Sequence, residues 1–212
     1  AGVTGIAMFH FGNNNGHGSY RLCTNNIFIN DPGGIAANNT GIIAQECGNS
    51  HLSNMYGTGL AKGVQLVSST DVLIDGRNEF ATCGVGIIGT APTTVKTTQP
   101  ATDITVTTVF SPNNDVRIKN VWFSGGNKAI YIEGDLVEIS GCCCQSVGSD
   151  GTQHLIEVNN TVFVGASYKG PNIHGNWVEG GHYKYFIATI KASGGDIYDN
   201  YIIGKGSADV PT

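Results

Sequence analysis

The segment Asp115-Val116-Arg117-Ile118-Lys119-Asn120-Val121-Trp122-Phe123-Ser124-Gly125-Gly126 decides how the rest of the chain is read. An aliphatic residue, Ile118, stands between charged neighbours, and two positions later comes Asn120, a residue type that tolerates the left-handed backbone conformation. Trp122 and Phe123 follow with opposite phases of a second short strand, because successive side chains of a strand point to opposite faces. The same order returns in Gly195-Asp196-Ile197-Tyr198-Asp199-Asn200-Tyr201-Ile202-Ile203-Gly204, and in shortened form in Asn25-Asn26-Ile27-Phe28-Ile29-Asn30.

Working outward, an aliphatic anchor recurs at Ile29, Leu52, Ile74, Ile118, Ile139, Ile173 and Ile197, with steps of 23, 22, 44, 21, 34 and 24 residues. A period of about 22 lies in the range of solenoids. The step of 44 is read as two turns with a degenerate middle one, and that of 34 as one turn with an insertion around Val162 to Lys169. Two positions after the anchors stand Asp31, Asn54, Gly76, Asn120, Gly141, Gly175 and Asp199. These residues suit a tight corner, where a β-branched side chain would be strained.

A second row begins 12 to 17 residues after each anchor, in most coils behind a small residue: Gly41-Ile42, Gly63-Val64, Gly86-Ile87, Ala129-Ile130, Leu155-Ile156 and Phe186-Ile187. Its alternation points Ile42 and Ala44, Val64 and Leu66, Ile130 and Ile132, and Ile156 and Val158 inward, with Gln65, Tyr131 and Glu157 outward. No stretch carries a capped helical period. The sequence therefore predicts an all-β chain, a right-handed single-stranded parallel β-helix. Residues 1–212 are expected to form one domain that begins and ends mid-coil, as a piece of a longer chain would. Residues 91–114, with Pro92, Pro100 and Pro112, are read as an inserted hairpin or a degenerate coil, with Thr105 to Phe110 as one strand.

Charged residues make up 13% of the chain, against about 25% in ordinary proteins, and there are 31 glycines. A net charge of -5 provides no basic stripe for phosphates, so a nucleic-acid partner is not expected. An uncharged glycan suits such a surface better. No apolar run approaches the roughly 20 residues that span a bilayer, so membrane insertion is not expected either. Cys142, Cys143 and Cys144 are consecutive, while Cys23, Cys47 and Cys83 stand apart without CxxC spacing. Buried free thiols are expected, with no metal site and no cofactor.

Four positions after the anchors the column reads Tyr56, Asn78, Trp122, Cys143, Trp177 and Tyr201. It puts several aromatics on one outer face, where flat rings can cover the apolar face of a pyranose. The alternative is packing under loops or between subunits. In the second row Glu133 and Glu157 point outward on neighbouring coils beside Tyr131. An offset of two residues between adjacent strands gives a Cα separation of roughly 8 Å. Such a pair can fall in the roughly 5 to 9.5 Å carboxyl range of glycosidases, one group protonating the leaving oxygen while the other attacks or activates water. The alternative is two solvated glutamates. His174, Trp177, Glu179 and His182, with Asp199 on the next coil, form a second candidate cluster for sugar binding, of which Glu179 is the candidate contact. Asn176 and Asn200 take the inward phase and are expected to form an amide ladder.

The Asn- and Gly-rich units quoted above resemble the pectin-lyase-like β-helix superfamily over about residues 4 to 206. Within it the chain is most similar to bacteriophage tailspikes and depolymerases. That resemblance implies a homotrimer in the virion tail, acting outside the bacterial cell on a surface polysaccharide (O-antigen or capsule), which it recognises and cleaves as an endo-glycoside hydrolase. A non-catalytic β-helical adhesin or structural spike, and a secreted polysaccharide lyase or hydrolase, are the alternatives. Gly16-His17-Gly18 and Arg117-Ile118-Lys119 are similar to polygalacturonase motifs, but no Asp-Asp accompanies them.

Overall fold

Three strands per turn, rather than two rows, wind this chain into a solenoid. The computed structural model describes residues 7–11, 21–32, 34, 38–90, 95–98, 105–108, 113–148, 151–160, 169–192 and 194–203. The first sheet stacks β1 (Ala7–Phe11), β4 (Thr40–Gln45), β7 (Lys62–Val67), β10 (Val85–Thr90), β15 (Lys128–Ile132), β18 (Ile156–Asn159) and β21 (Ile187–Ile190) in that order. The second stacks β2 (Cys23–Thr24), β5 (Gly48–Leu52), β8 (Thr70–Ile74), β13 (Asn113–Lys119), β16 (Gly134–Ser140), β19 (Asn172–His174) and β22 (Asp196–Tyr198). The third stacks β3 (Ile27–Asn30), β6 (Met55–Thr58), β9 (Asn78–Ala81), β14 (Val121–Ser124), β17 (Cys143–Gln145), β20 (Trp177–Glu179) and β23 (Tyr201–Ile203). All pairings within these sheets are parallel, so the chain is an all-β parallel β-helix.

The second row of the sequence is the first sheet: Ile42, Val64, Ile87, Ile130, Ile156 and Ile187 stand opposite one another in register. The anchor row is the second sheet, with Leu52, Ile74, Ile118, Ile139 and Ile173 fully buried. Phe80, Phe123, Cys144 and Val178 close the core from the third sheet. Each large aliphatic side chain taken out of water contributes about 1.5–3 kcal/mol, and stacking like on like lets every coil repeat that gain. The small residues before the first-sheet isoleucines have a steric cause. A Cβ on Gly63 would meet the Phe80 ring, and one on Gly86 the Phe123 ring.

Three sequence expectations are corrected here. Ile29 is not an anchor of the second sheet. It pairs with Gly57 in the third, and Thr24 stands opposite Leu52 instead. The corner two residues on is accordingly Asn26 and not Asp31. With that change Asn26, Asn54, Gly76, Asn120, Gly141, Gly175 and Asp199 all have positive φ, from 50° at Asn54 to 90° at Gly76. The step of 44 is a single turn, because Ile74 lies directly opposite Ile118. Its extra length leaves the solenoid between β10 and β13, where β11 (Val95–Thr98) and β12 (Thr105–Thr108) pair antiparallel. Finally, five repeats have a further corner, after the third sheet, at Gly59, Thr82, Gly125, Ser146 and Gly180, again with positive φ.

Buried side chains satisfy the backbone where the coils bend. Asn176 Oδ1 accepts from the Cys142 N–H at 2.9 Å, while its Nδ2 donates to the Ile139 carbonyl at 3.1 Å and to Asn200 Oδ1 at 2.9 Å. The expected amide ladder is therefore present. Asn113 plays the same part at the turn from first to second sheet, accepting from the Ser69 N–H and donating to the Thr90 and Glu133 carbonyls. All six cysteines are free. Cys47, Cys83, Cys142 and Cys144 are buried, Cys143 is half-buried and Cys23 exposed.

Candidate functional site

The outer face of the third sheet carries a column in strict register: Phe28, Tyr56, Glu79, Trp122, Cys143, Trp177 and Tyr201. Glu79 takes the place expected for Asn78. Asn78 turns inward, only 2% exposed, and caps the Met55 N–H through its Oδ1. The corner before β9 contains one extra residue relative to Asn120 and Asp199, which shifts the phase by one. Five of the seven column positions are aromatic, and Phe28, Trp122, Trp177 and Tyr201 are exposed by 70, 47, 47 and 60%. Phe28 and Tyr56 stack at 4.9 Å with planes 2° apart, and Trp177 meets Tyr201 edge-on at 5.6 Å. Glu179, exposed, lies two residues along β20 from Trp177 and opposite Gln145.

The first sheet places Tyr131 directly opposite Glu157, and Glu133 follows two residues later. The offset of two residues is therefore real, but neither glutamate is simply solvated. Glu157 is 8% exposed. Its Oε2 pairs with Lys128 Nζ at 2.7 Å, and its Oε1 accepts from Asn159 Nδ2 at 3.3 Å. Tyr131 Oη donates to Glu133 Oε1 at 2.8 Å, and Lys128 Nζ lies 5.1 Å from the centre of the Tyr131 ring. Burial, above all, raises the Tyr131 hydroxyl far above the usual phenol range. The hydrogen bond to Glu133 and the charges of Glu133 and Glu157 add to this, and Asn159 opposes it. Tyr131 is thus a stable donor at neutral pH. A groove of 440 Å³ opens beside this cluster, lined among others by Lys62, Val85, Ile88, Lys128 and Tyr131.

The second candidate cluster is divided by the corners. His174 faces outward from the second sheet, stacked on Tyr198 at 4.8 Å and 3.6 Å from Glu138 Oε1. Trp177 and Glu179 lie beyond the corner on the third sheet, His182 in the following turn, and Asp199 is itself a corner residue with φ 51°. Glu138 also binds Lys119 at 2.8 Å. Its burial works to raise the carboxyl, but the hydrogen bonds and charges of Lys119 and His174 prevail and hold it below the ordinary carboxylate value. Arg117 and Lys119 are spent on such ion pairs, with Asp71 and Asp115 in the first case and Glu138 in the second. His17 lies outside the described residues. Among the described residues no three His, Cys, Asp or Glu side chains gather to hold a metal ion, and no helix is long and apolar enough to cross a membrane.

Lys62 and Lys128 were not singled out from the sequence. Their signal was a shared position in the coil, each directly before the small residue, Gly63 or Ala129, that precedes the inward Val64 or Ile130. No protein-family model, curated protein or solved structure matches this chain. The fold itself places it among parallel β-helices.

Proposed function

We propose that the protein is a polysaccharide-binding β-helix of the pectin-lyase-like kind, the receptor-binding part of a trimeric bacteriophage tailspike, and that it lays a bacterial surface glycan along its third sheet. The exposed aromatic column carries this reading. Tyr56, Trp122 and Trp177 recur on every second coil, which at the inter-strand spacing is about 9.5 Å, close to the length of a disaccharide in an extended chain. Rings at that spacing offer apolar platforms, and Glu79 and Glu179 offer acceptors for hydroxyls. The sparse charge of the chain supports a neutral polymer as the main partner.

Cleavage of the glycan is a second reading, favoured by the diagonal placement of Glu133 and Glu157 across neighbouring strands. In that reading Glu157, paired with Lys128, is the base or nucleophile, and Glu133, hydrogen-bonded to Tyr131, the acid.

The test is a panel of O-antigen and capsular polysaccharides, scored for binding and for release of shorter chains. Binding lost in both Trp122→Ala and Trp177→Ala supports recognition by the third sheet. Binding to none of the panel, or binding indifferent to both substitutions, refutes it. Chain shortening abolished by Glu133→Gln or Glu157→Gln with binding retained supports hydrolysis.

A further inference from the structure

We infer that the relief of the third sheet selects one class of polymer: a neutral, β-1,4-linked chain of pyranoses with equatorial hydroxyls, in which every second unit presents the same face. The inference rests on the reading of this sheet as a glycan-binding surface and adds which backbone geometry it takes.

Between Tyr56 and Trp177 the outer column alternates in bulk from coil to coil. Rings stand at Tyr56, Trp122 and Trp177, and the shorter Glu79 and Cys143 hold the coils between them. Trp122 and Trp177 are each 47% exposed, whereas Glu79 and Cys143 are half-buried. The face is therefore corrugated, with ridges about 9.5 Å apart and a notch between neighbouring ridges. Ring contacts crowd both ends of this run. Phe28 stacks on Tyr56 one coil before it, and Tyr201 meets Trp177 edge-on one coil after it. The open stretch from Tyr56 to Trp177 is about 19 Å, about two disaccharides of an extended chain.

A polymer in step with this relief must repeat every two units. In a β-1,4-linked chain of equatorial pyranoses each unit is turned half a revolution from the last, so the chain is an extended ribbon whose repeat is the disaccharide. Alternate units then meet the ridges in the same orientation, and the units between them lie over the notches. An α-1,4 chain coils and an α-1,6 chain bends at its extra bond, so neither stays in step along the run. Equatorial hydroxyls leave axial C–H groups on both faces of the ring, the apolar surface that an aromatic side chain covers. Two residues further along the strands, Thr58, Ser124 and Gln145 offer hydroxyl and amide groups to the ring hydroxyls. Charge narrows the class further. None of β6, β9, β14, β17 and β20 contains Lys or Arg, while Glu79 and Glu179 are carboxylates, so a polymer carrying carboxylates is repelled and a neutral one is not.

The experiment compares cellohexaose, maltohexaose and isomaltohexaose, which share one monomer and differ only in linkage, by calorimetry or ligand-observed NMR on the whole chain. Cellobiose and cellotetraose test the length of the run. The expected result is binding of cellohexaose about tenfold tighter than either α-linked hexasaccharide, with affinity rising from cellobiose to cellotetraose as a second ridge is engaged. Cys143→Phe, which fills the notch between Trp122 and Trp177, should lose about tenfold, and Cys143→Ser, which leaves it open, should lose nothing. Circular dichroism melts establish that both variants are folded. Equal or absent binding of the three hexasaccharides, no gain from cellobiose to cellotetraose, or indifference to Cys143→Phe in a folded protein overturns the inference. Failure of the glycan reading is distinguishable, because bacterial polysaccharides then show no binding that depends on Trp122 and Trp177. Such binding without any preference among the hexasaccharides sinks the inference alone.

Discussion

Lys128 and Glu157 form an ion pair across neighbouring coils, Nζ to Oε2 at 2.7 Å, with about nine-tenths of each side chain removed from water. Taking away one member leaves the other charged and buried. Lys128→Met and Glu157→Gln are each expected to cost about 3–5 kcal/mol, while Lys128→Met with Glu157→Leu costs far less than their sum. Denaturant unfolding of the four proteins measures the coupling.

The amide ladder should be graded along its length. Asn176 is 1% exposed and serves the Cys142 N–H and the Ile139 carbonyl, so Asn176→Ala strands two buried backbone groups and is expected to cost about 2–4 kcal/mol. Asn200 is only part-buried, and Asn200→Ala should cost about 1 kcal/mol. Hydrogen exchange gives a second readout, since the Cys142 amide loses protection in the first variant and keeps it in the second.

A methyl group at position 86 would collide with the Phe123 ring. Gly86→Ala is expected to destabilise by about 1–3 kcal/mol through overpacking. Combining it with Phe123→Leu, which vacates part of the ring volume, should recover a portion of the loss. A purely additive pair of penalties in thermal melts would count against this account.

Burial pushes the Cys83 thiol up to about 11 and the Cys142 thiol up to about 12, and holds Cys144 well above its ordinary value. In the unfolded chain a thiol ionises near about 8.5. The unfolded state therefore releases these protons first as pH rises. Stability from the neutral thiols is complete below about pH 8.5 and falls toward pH 11 to 12, by up to about 1.4 kcal/mol per pH unit for each thiol. Cys83→Ala and Cys142→Ala should flatten that decline. At neutral pH, alkylation should reach Cys23 first and Cys143 next, with the other four reacting only on unfolding.

Much of the solenoid was legible because its cause is local. Alternation in Ile130-Tyr131-Ile132 and a left-handed residue type at Asn120 or Gly141 are properties of a few neighbouring residues. Ile29 misled because Ile29 and Leu52 are both aliphatic, and only the register shows that Thr24 holds the place opposite Leu52. The aromatic column was readable apart from Asn78, where one extra residue in the corner changed the phase, and Phe28, which the misassigned anchor at Ile29 hid. The Lys128–Glu157 pair was not readable. The partners are separated by 29 residues, and their contact depends on the length of an intervening turn that no residue pattern specifies.

The hairpin of β11 and β12 leaves the solenoid without disturbing it, for β8 still pairs with β13 and β10 with β15. A turn of this β-helix can therefore carry a foreign passenger between β10 and β13 while the stack above and below keeps its pitch. The same junction offers a place to graft a peptide tag or a small reporter domain on this scaffold, with each of the three faces left free to be redesigned on its own.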